Sequence, residues 1–158
     1  MNIFAVDACP ERAAQMLCDK HEVKMPLESA QMLCTVLTYY NVEDVPYRPC
    51  HRHHPCTIWA RTTQANYDWL TQHGRALCAE YTRRYGRIHK SQAVIEHCAL
   101  WRHVIPAGKR TPFVQAMPEE TRGTDPHVAY QNYYNKHKAH FAVWKKREPP
   151  MWFSPPEK

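Results

Sequence analysis

Hydrophobic residues recur near the 3.6-residue helical period along most of this 158-residue chain. After start signals at Asp7 and Pro10, the period predicts helix over residues 10–40. Pro26 lies inside that stretch, where a proline removes a backbone donor and crowds the preceding turn. The pattern therefore predicts either a kinked helix or two helices that meet at Pro26.

Two further helices are predicted in the middle of the chain. Apolar and aromatic residues indicate a long amphipathic helix from Cys56 to about Tyr85, closed near Gly86. Ser91 is a favourable cap for a shorter helix that ends near Trp101.

The last predicted helix begins at Asp125 and Pro126, a cap followed by a first-turn proline, and runs to about Lys146. Residues 41–55 and 106–124 contain the prolines and glycines of loops. Strand alternation is suggested only over residues 2–6.

These elements predict a mainly α fold, a compact single-domain helical bundle with irregular proline-rich loops. The length of 158 residues suits one hydrophobic core. We expect a single domain over residues 1–158, with residues 148–158 as an extended C-terminal tail.

Composition limits the class of protein. The apolar fraction of 44% and charged fraction of 23% are ordinary for a globular protein. No stretch approaches the roughly 18 apolar residues of a membrane helix, and the N-terminus lacks a secretion signal, so we expect a cytoplasmic protein without membrane partners. The seven cysteines, an odd number without framework spacing, are expected to be reduced thiols, mostly in the core.

The chain is basic, with 21 Lys and Arg against 15 Asp and Glu and a net charge of +6. Such a balance favours an anionic partner, here DNA or a nucleotide ligand, and leaves the oligomeric state undetermined. The alternative is a soluble protein whose basic surface has no such role.

Five polar side chains are predicted to form one stripe on the first helix, at spacings of three or four residues. They are Lys20, His21, Lys24, Glu28 and Gln31. The stripe could be an ordinary solvated face, because Lys–Glu pairs at i,i+4 are common on surfaces. If it lines a cleft instead, the adjacent amine and carboxylate suit nucleophilic or acid–base work at a sugar carbon.

In that second interpretation, lysine would attack the sugar or bind phosphate. Glu28 would stabilise positive charge developing on the sugar, or carry a proton to the ring oxygen or to the base. The candidate catalytic residues from the first helix are therefore Glu28, Lys24 and His21, with Lys20 and Gln31 as binding residues.

A histidine- and cysteine-rich loop precedes the second long helix. Its candidate ligands are Cys50, His51, His53, His54 and Cys56. Imidazole and thiolate are zinc ligands, but the spacing is poor, because structural zinc sites draw ligands from two separated pairs and no second pair with the usual short spacing occurs elsewhere in the sequence. Helix capping and packing, or contact of His51 and His54 with phosphate or substrate, are the other interpretations, and we expect neither a metal nor another cofactor.

Aromatic and basic residues alternate near the C-terminus. Such sets stack bases and hold phosphates. The candidate binding residues are Tyr133, Lys136, Lys138, Lys145 and Lys146. Four other rings fall at helical spacing and are alternatively core residues, and we expect about half of them to be so. These rings are Tyr130, Tyr134, Phe141 and Trp144.

Three segments carry a family resemblance, namely residues 18–33, 53–60 and 129–153. They are similar to a largely uncharacterised family of bacteriophage proteins, over nearly the whole chain. That family in turn resembles the pyrimidine-dimer DNA glycosylases of the endonuclease V type. The marks of this second resemblance are similar length, a charged first helix, a histidine before the second helix (here His54), and an aromatic, basic C-terminal end.

The resemblance implies an all-helical fold with a short N-terminal segment between helices, and base flipping from duplex DNA. In those glycosylases the nucleophile is the N-terminal amine of a small residue exposed after methionine removal, assisted by a glutamate of the first helix. Here position 2 is Asn2, which is large for methionine removal, so the amine would belong to Met1. Glu28 is the counterpart of the helper glutamate, with Lys24 and His21 beside it.

Two classes of function follow from these features. The first is a DNA glycosylase or glycosylase/AP-lyase that acts on a damaged or modified base in DNA repair, in the host cytoplasm if the chain is phage-encoded. The second is a non-catalytic phage binder of nucleotides or nucleic acid, for example one that sequesters a host signal. An enzyme acting on a free nucleotide is a third possibility.

Overall fold

The computed structural model describes residues 1–156 and contains six α-helices. They are α1 (Pro10–Met16), α2 (Asp19–Tyr39), α3 (Pro55–Thr62), α4 (Gln64–Tyr85), α5 (Gln92–Ala99) and α6 (Pro126–Tyr133). A π-helical turn, Tyr134–Lys138, continues from α6, and short 3₁₀ turns lie at Arg102–Val104 and Glu119–Thr121. No strand occurs within residues 1–156, so the mainly α prediction is confirmed.

The first predicted helix is two helices that meet at Leu17 and Cys18, both of which have extended backbone angles. The prediction that two helices meet at Pro26 is therefore wrong, because α2 continues through that buried proline without interruption. Tyr134 explains the true position of the break, since its hydroxyl accepts a hydrogen bond from the Cys18 backbone N–H at 3.2 Å.

The second predicted helix is also divided, at Thr63. Thr63 has an extended conformation and its hydroxyl accepts from the Asn66 N–H at 3.1 Å, so it caps α4. The predicted end is confirmed, since Gly86 adopts the left-handed conformation with φ of 68° that closes a helix.

Asp125 caps α6 as predicted, but the last helix does not reach Lys146. The chain leaves the helical path after Lys138. Contacts with the α1–α2 junction hold the residues beyond it: the Val143 carbonyl accepts from the Asp19 N–H at 2.8 Å, and the Trp144 indole donates to the Met16 carbonyl at 2.9 Å.

Residues 2–6 form a buried, irregular N-terminal segment, and not the suggested strand. Residues 8–10 contact α4. The Trp69 indole donates a hydrogen bond to the Ala8 carbonyl at 2.8 Å, and His73 Nδ1 lies 3.0 Å from the Pro10 carbonyl. Helix α4 packs on both α1 and α2, which leaves the start of the chain against the core.

All seven cysteines are free thiols, and five of them are buried. The expectation of mostly core cysteines is thus confirmed. Among residues 1–156, none of the helices combines the length and the apolarity needed to cross a membrane. Of the expected tail, residues 148–156 contain no helix, while residues 157–158 lie outside the described part.

A buried charge network joins α2, α4 and the C-terminal segment. Fully buried Arg84 pairs with Glu80 at 2.9 Å and with Asp19 at 3.1 Å. Arg147 from the C-terminal segment donates to both oxygens of Glu80, at 2.6 and 3.0 Å. Glu22 lies beside this network, and neither of its buried oxygens has a hydrogen-bond partner within the described residues.

Stability should depend on pH through Glu22. Burial raises the pKa of Glu22 well above its usual value, although nearby Arg84 opposes the shift. Folding therefore favours the protonated form of Glu22. The stabilisation from this protonated form is fully present at pH values below the usual pKa of glutamate, and it is lost as the pH rises toward the raised pKa. Against a Glu22→Gln variant, the native protein should lose up to about 1.4 kcal/mol of unfolding free energy per pH unit in that window.

Urea unfolding at several pH values measures this difference, and Glu96→Gln is the matched control. Glu96 forms an exposed pair with Arg75 at 2.7 Å, and this pairing lowers the pKa of Glu96. The control should show a small effect of opposite sign. A constant stability difference between native protein and Glu22→Gln would contradict the interpretation.

Candidate functional site

A small polar cavity of about 130 Å³ lies where α2, the N-terminal segment and the end of α6 meet. Its lining residues are Met1, Asn2, Phe4, His21, Lys24, Met25, Glu28, Tyr133 and Lys138. It is smaller than the roughly 300–1,000 Å³ of sites for drug-sized ligands, so it suits one ring or sugar of a larger ligand. A wider groove of about 500 Å³ beyond α2 has only Glu43 and Arg48 as lining residues with full charges.

Glu28 is the only carboxylate among the lining residues, and its side chain is 8% exposed. Its Oε1 lies 3.4 Å from the α-amine of Met1, and its Oε2 lies 3.6 Å from the Lys24 ammonium. Oε2 makes no hydrogen bond within the described residues. A buried carboxylate with an open acceptor position and two neighbouring amines is equipped to take or return a proton.

The Asn2 backbone N–H also donates to Glu28 Oε1, at 3.2 Å. The nitrogens of both Met1 and Asn2 therefore converge on one oxygen.

His21 forms the inner wall of the cavity and pairs through Nδ1 with the Tyr134 hydroxyl. Burial, followed by the positive charges of Lys138, Lys24 and Lys20, lowers the pKa of His21 to about 3. The imidazole is thus neutral near pH 7 and can exchange a hydrogen bond without adding charge.

Three rings form a stack along the cavity. Phe4 lies between His21, at a centroid distance of 4.3 Å, and Tyr133, at 5.9 Å. The Lys138 ammonium lies 5.0 Å from the Tyr133 centroid and 5.8 Å from that of Phe4. Phe4 has a φ of 56°, which costs a residue with a side chain about 1–3 kcal/mol.

Positive charge is in excess at the cavity. The Met1 amine, Lys24 and Lys138 face the single carboxylate of Glu28 among the lining groups. Lys20 lies just outside, with its ammonium 4.4 Å above the ring of Phe141. This excess suits an anionic ligand.

The predicted stripe on the first helix thus lies partly in the cavity. His21, Lys24 and Glu28 line it, while Lys20 borders it and half-buried Gln31 is outside its lining. The site assignments of all five residues stay predictions.

The histidine-rich loop has a capping role at His54, whose Nδ1 accepts from the Cys56 N–H at 3.1 Å and opens α3. Burial lowers the pKa of His54, and the charge of the N-terminal amine adds to this shift, so the ring lies near the start of the chain. His51 is exposed, with a φ of 50°. Within residues 1–156 no group of three or more potential ligands is placed to hold a metal ion.

The other predicted binding residues are spread along the C-terminal segment. Tyr133 and Lys138 line the cavity, whereas Lys136 is exposed and does not. Lys145 lies over the ring of Tyr85, 5.1 Å from its centroid. Exposed Lys146 accepts a hydrogen bond at its backbone carbonyl from Arg83.

Of the four rings at helical spacing, Tyr130 and Tyr134 are buried, while Phe141 and Trp144 are half-buried. The expectation that about half are core residues is confirmed. The sequence pattern does not indicate Phe4 as a cavity residue, because its position depends on an unusual backbone conformation. The available signal was the predicted insertion of an N-terminal segment between helices.

Comparison with known proteins identifies the family. The family model described as pyrimidine dimer DNA glycosylase matches residues 1–94, which include α1 to α4 and the Met1–Glu28 side of the cavity. No curated protein and no solved structure gives a significant match. Since the matched region exceeds half of the chain, this chain belongs to the pyrimidine dimer DNA glycosylase family.

Proposed function

We propose that this protein is a DNA glycosylase, or a glycosylase with AP-lyase activity, that acts on a damaged or modified base. The observation that carries the proposal is the buried Glu28 carboxylate with two amines, those of Met1 and Lys24, within 3.6 Å. Membership of the family supports DNA as the ligand.

The reaction would take place at the sugar carbon C1′ of an extruded nucleotide. One of the two amines transfers a proton to Glu28 and attacks C1′, so a C1′–N bond to the protein forms. The glycosidic bond breaks, its electron pair leaves with the base, and the base is neutralised by a proton given up by the newly bonded, positively charged nitrogen. Glu28 then returns its proton to the ring oxygen as the sugar opens to an imine.

The terminal amine and Lys24 are both candidate nucleophiles. The terminal amine is closer to Glu28, at 3.4 Å, and belongs to a residue whose side chain is 2% exposed. The Lys24 side chain is 63% exposed, and its amine is 3.6 Å from the other oxygen. If methionine were removed, the Asn2 nitrogen at 3.2 Å would become the amine beside Glu28.

The surrounding residues would bind the nucleotide. Half-buried Tyr133 offers a ring for stacking a base, and Lys138 adds positive charge for a phosphate. Neutral His21 would exchange a hydrogen bond with the sugar or base.

A non-catalytic nucleotide binder is the second candidate. It is favoured by the ion pairing of both amines with Glu28, because a protonated amine is not a nucleophile. The excess of positive charge around the cavity would serve a bound phosphate equally well.

Replacement of Glu28 by Gln tests catalysis. Glu28→Gln keeps the shape of the side chain but cannot accept the proton, so base release should fall by at least about a hundredfold while DNA affinity changes little. Release of base from duplexes with damaged or modified bases, followed by chromatography, measures the rate. Exposed Glu43→Gln is the matched control and should keep native activity.

A native protein that leaves every such duplex intact, with Glu28→Gln altering only affinity, would refute the glycosylase and support the binder.

The salt dependence of DNA binding tests the role of Lys138. If its ammonium contacts a phosphate, Lys138→Ala should weaken binding and reduce the slope of log K against log salt by about 0.9. Lys145→Ala is the comparison, because Lys145 lies over Tyr85 away from the cavity lining and should change the slope less. Fluorescence anisotropy at several salt concentrations gives both slopes, and equal slopes for Lys138→Ala and native protein would exclude that contact.

A further inference from the structure

Asn2 is held by hydrogen bonds from every polar group of its side chain. Its Oδ1 accepts from the N–H groups of Ile3 at 2.7 Å and Phe4 at 3.1 Å. Its Nδ2 donates to the carbonyl of Ala116 at 2.8 Å. The residue is 8% exposed, so these bonds are made largely out of water, where losing a partner is costly.

The turn that Asn2 closes includes the backbone of Phe4. With a φ of 56°, Phe4 has a left-handed backbone that only surrounding contacts can maintain. The bond from the Phe4 N–H to Asn2 Oδ1 supplies one such contact, and the Val6 N–H donates to the Phe4 carbonyl at 2.8 Å. This conformation places the Phe4 ring against His21 in the cavity.

Asn2 also contacts Glu28 directly, through its backbone N–H at 3.2 Å. One residue therefore connects the carboxylate, the stacked rings and the segment that contains Ala116. Ala116 lies beyond the family match, which ends at residue 94, so this anchor depends on a part of the chain outside the shared region.

We propose that Asn2 is a positioning residue whose carboxamide fixes the N-terminal segment, so that Glu28 and the Phe4 ring hold the geometry the reaction needs. The proposal rests on the glycosylase function for its effect on rate, but the structural part stands without it. The Asn2 carboxamide acts through its neighbours, the Phe4 and Ile3 amides and the Ala116 carbonyl, whichever amine reacts.

The test compares Asn2→Leu with Asn2→Asp. Leucine has a similar size but no polar group, whereas aspartate keeps an acceptor oxygen for the Ile3 and Phe4 amides. Intact mass verifies that Met1 processing is the same in each protein. Asn2→Leu should release base about a hundredfold more slowly in single turnover, the cost of misplacing a reacting group by about 1 Å. Asn2→Asp should release base at least about tenfold faster than Asn2→Leu.

Asn135→Leu is the matched control. Asn135 likewise donates to a carbonyl, that of Trp152 at 3.1 Å, and accepts from a backbone N–H, that of Ser154 at 2.9 Å, but it does not line the cavity. Its single-turnover rate should equal that of the native protein at a temperature where both are folded.

A second readout is independent of activity. The close contact of the Phe4 and His21 rings predicts a nuclear Overhauser effect between them in native protein and Asn2→Asp, and its loss in Asn2→Leu. If the contact persists in Asn2→Leu, or is lost without slowing base release, the positioning role is overturned. If native protein releases no base, the glycosylase proposal fails, while the ring contact still decides whether Asn2 orders the segment.

Discussion

Glu28 is a carboxylate surrounded by the first residues of its own chain, and the arrangement of the site depends on that contact. The nitrogens of Met1 and Asn2 approach one of its oxygens, and Lys24 approaches the other. This requires residues 2–6 to lie buried against the core, where α1, α2 and α4 pack together. The fold therefore brings the start of the chain to Glu28, a buried residue 27 positions later.

The electrostatics of the site follow from this burial. Three lining cations face one carboxylate. Two of them, Lys138 and Lys24, add to the effect of burial in lowering the pKa of His21. The neutral imidazole between Phe4 and the Tyr134 hydroxyl adds no charge of its own, so the positive excess comes from the amines. The family match covers the Glu28 side of the cavity, whereas Tyr133 and Lys138 lie beyond the matched residues.

Local signals in the sequence predicted much of the fold and part of the site. The end of α4 at Gly86 and the start of α6 at Asp125 follow from backbone and capping chemistry. The Lys24–Glu28 pair follows from its i,i+4 spacing. The breaks at Cys18 and Thr63 were missed because apolar periodicity continues across them.

Tertiary contacts account for the rest. The helix predicted to Lys146 ends early because distant residues, Met16 and Asp19, hold the chain in another path. The position of the Phe4 ring depends on a left-handed backbone and on packing, and the periodicity of hydrophobic residues predicts neither of these.

Borohydride reduction with abasic-site DNA, followed by peptide mass spectrometry, tests most directly whether an amine beside Glu28 reacts with the sugar. We expect one covalent adduct, located on the N-terminal amine or on Lys24. No adduct, or adducts spread over exposed lysines such as Lys90 and Lys109, would contradict it.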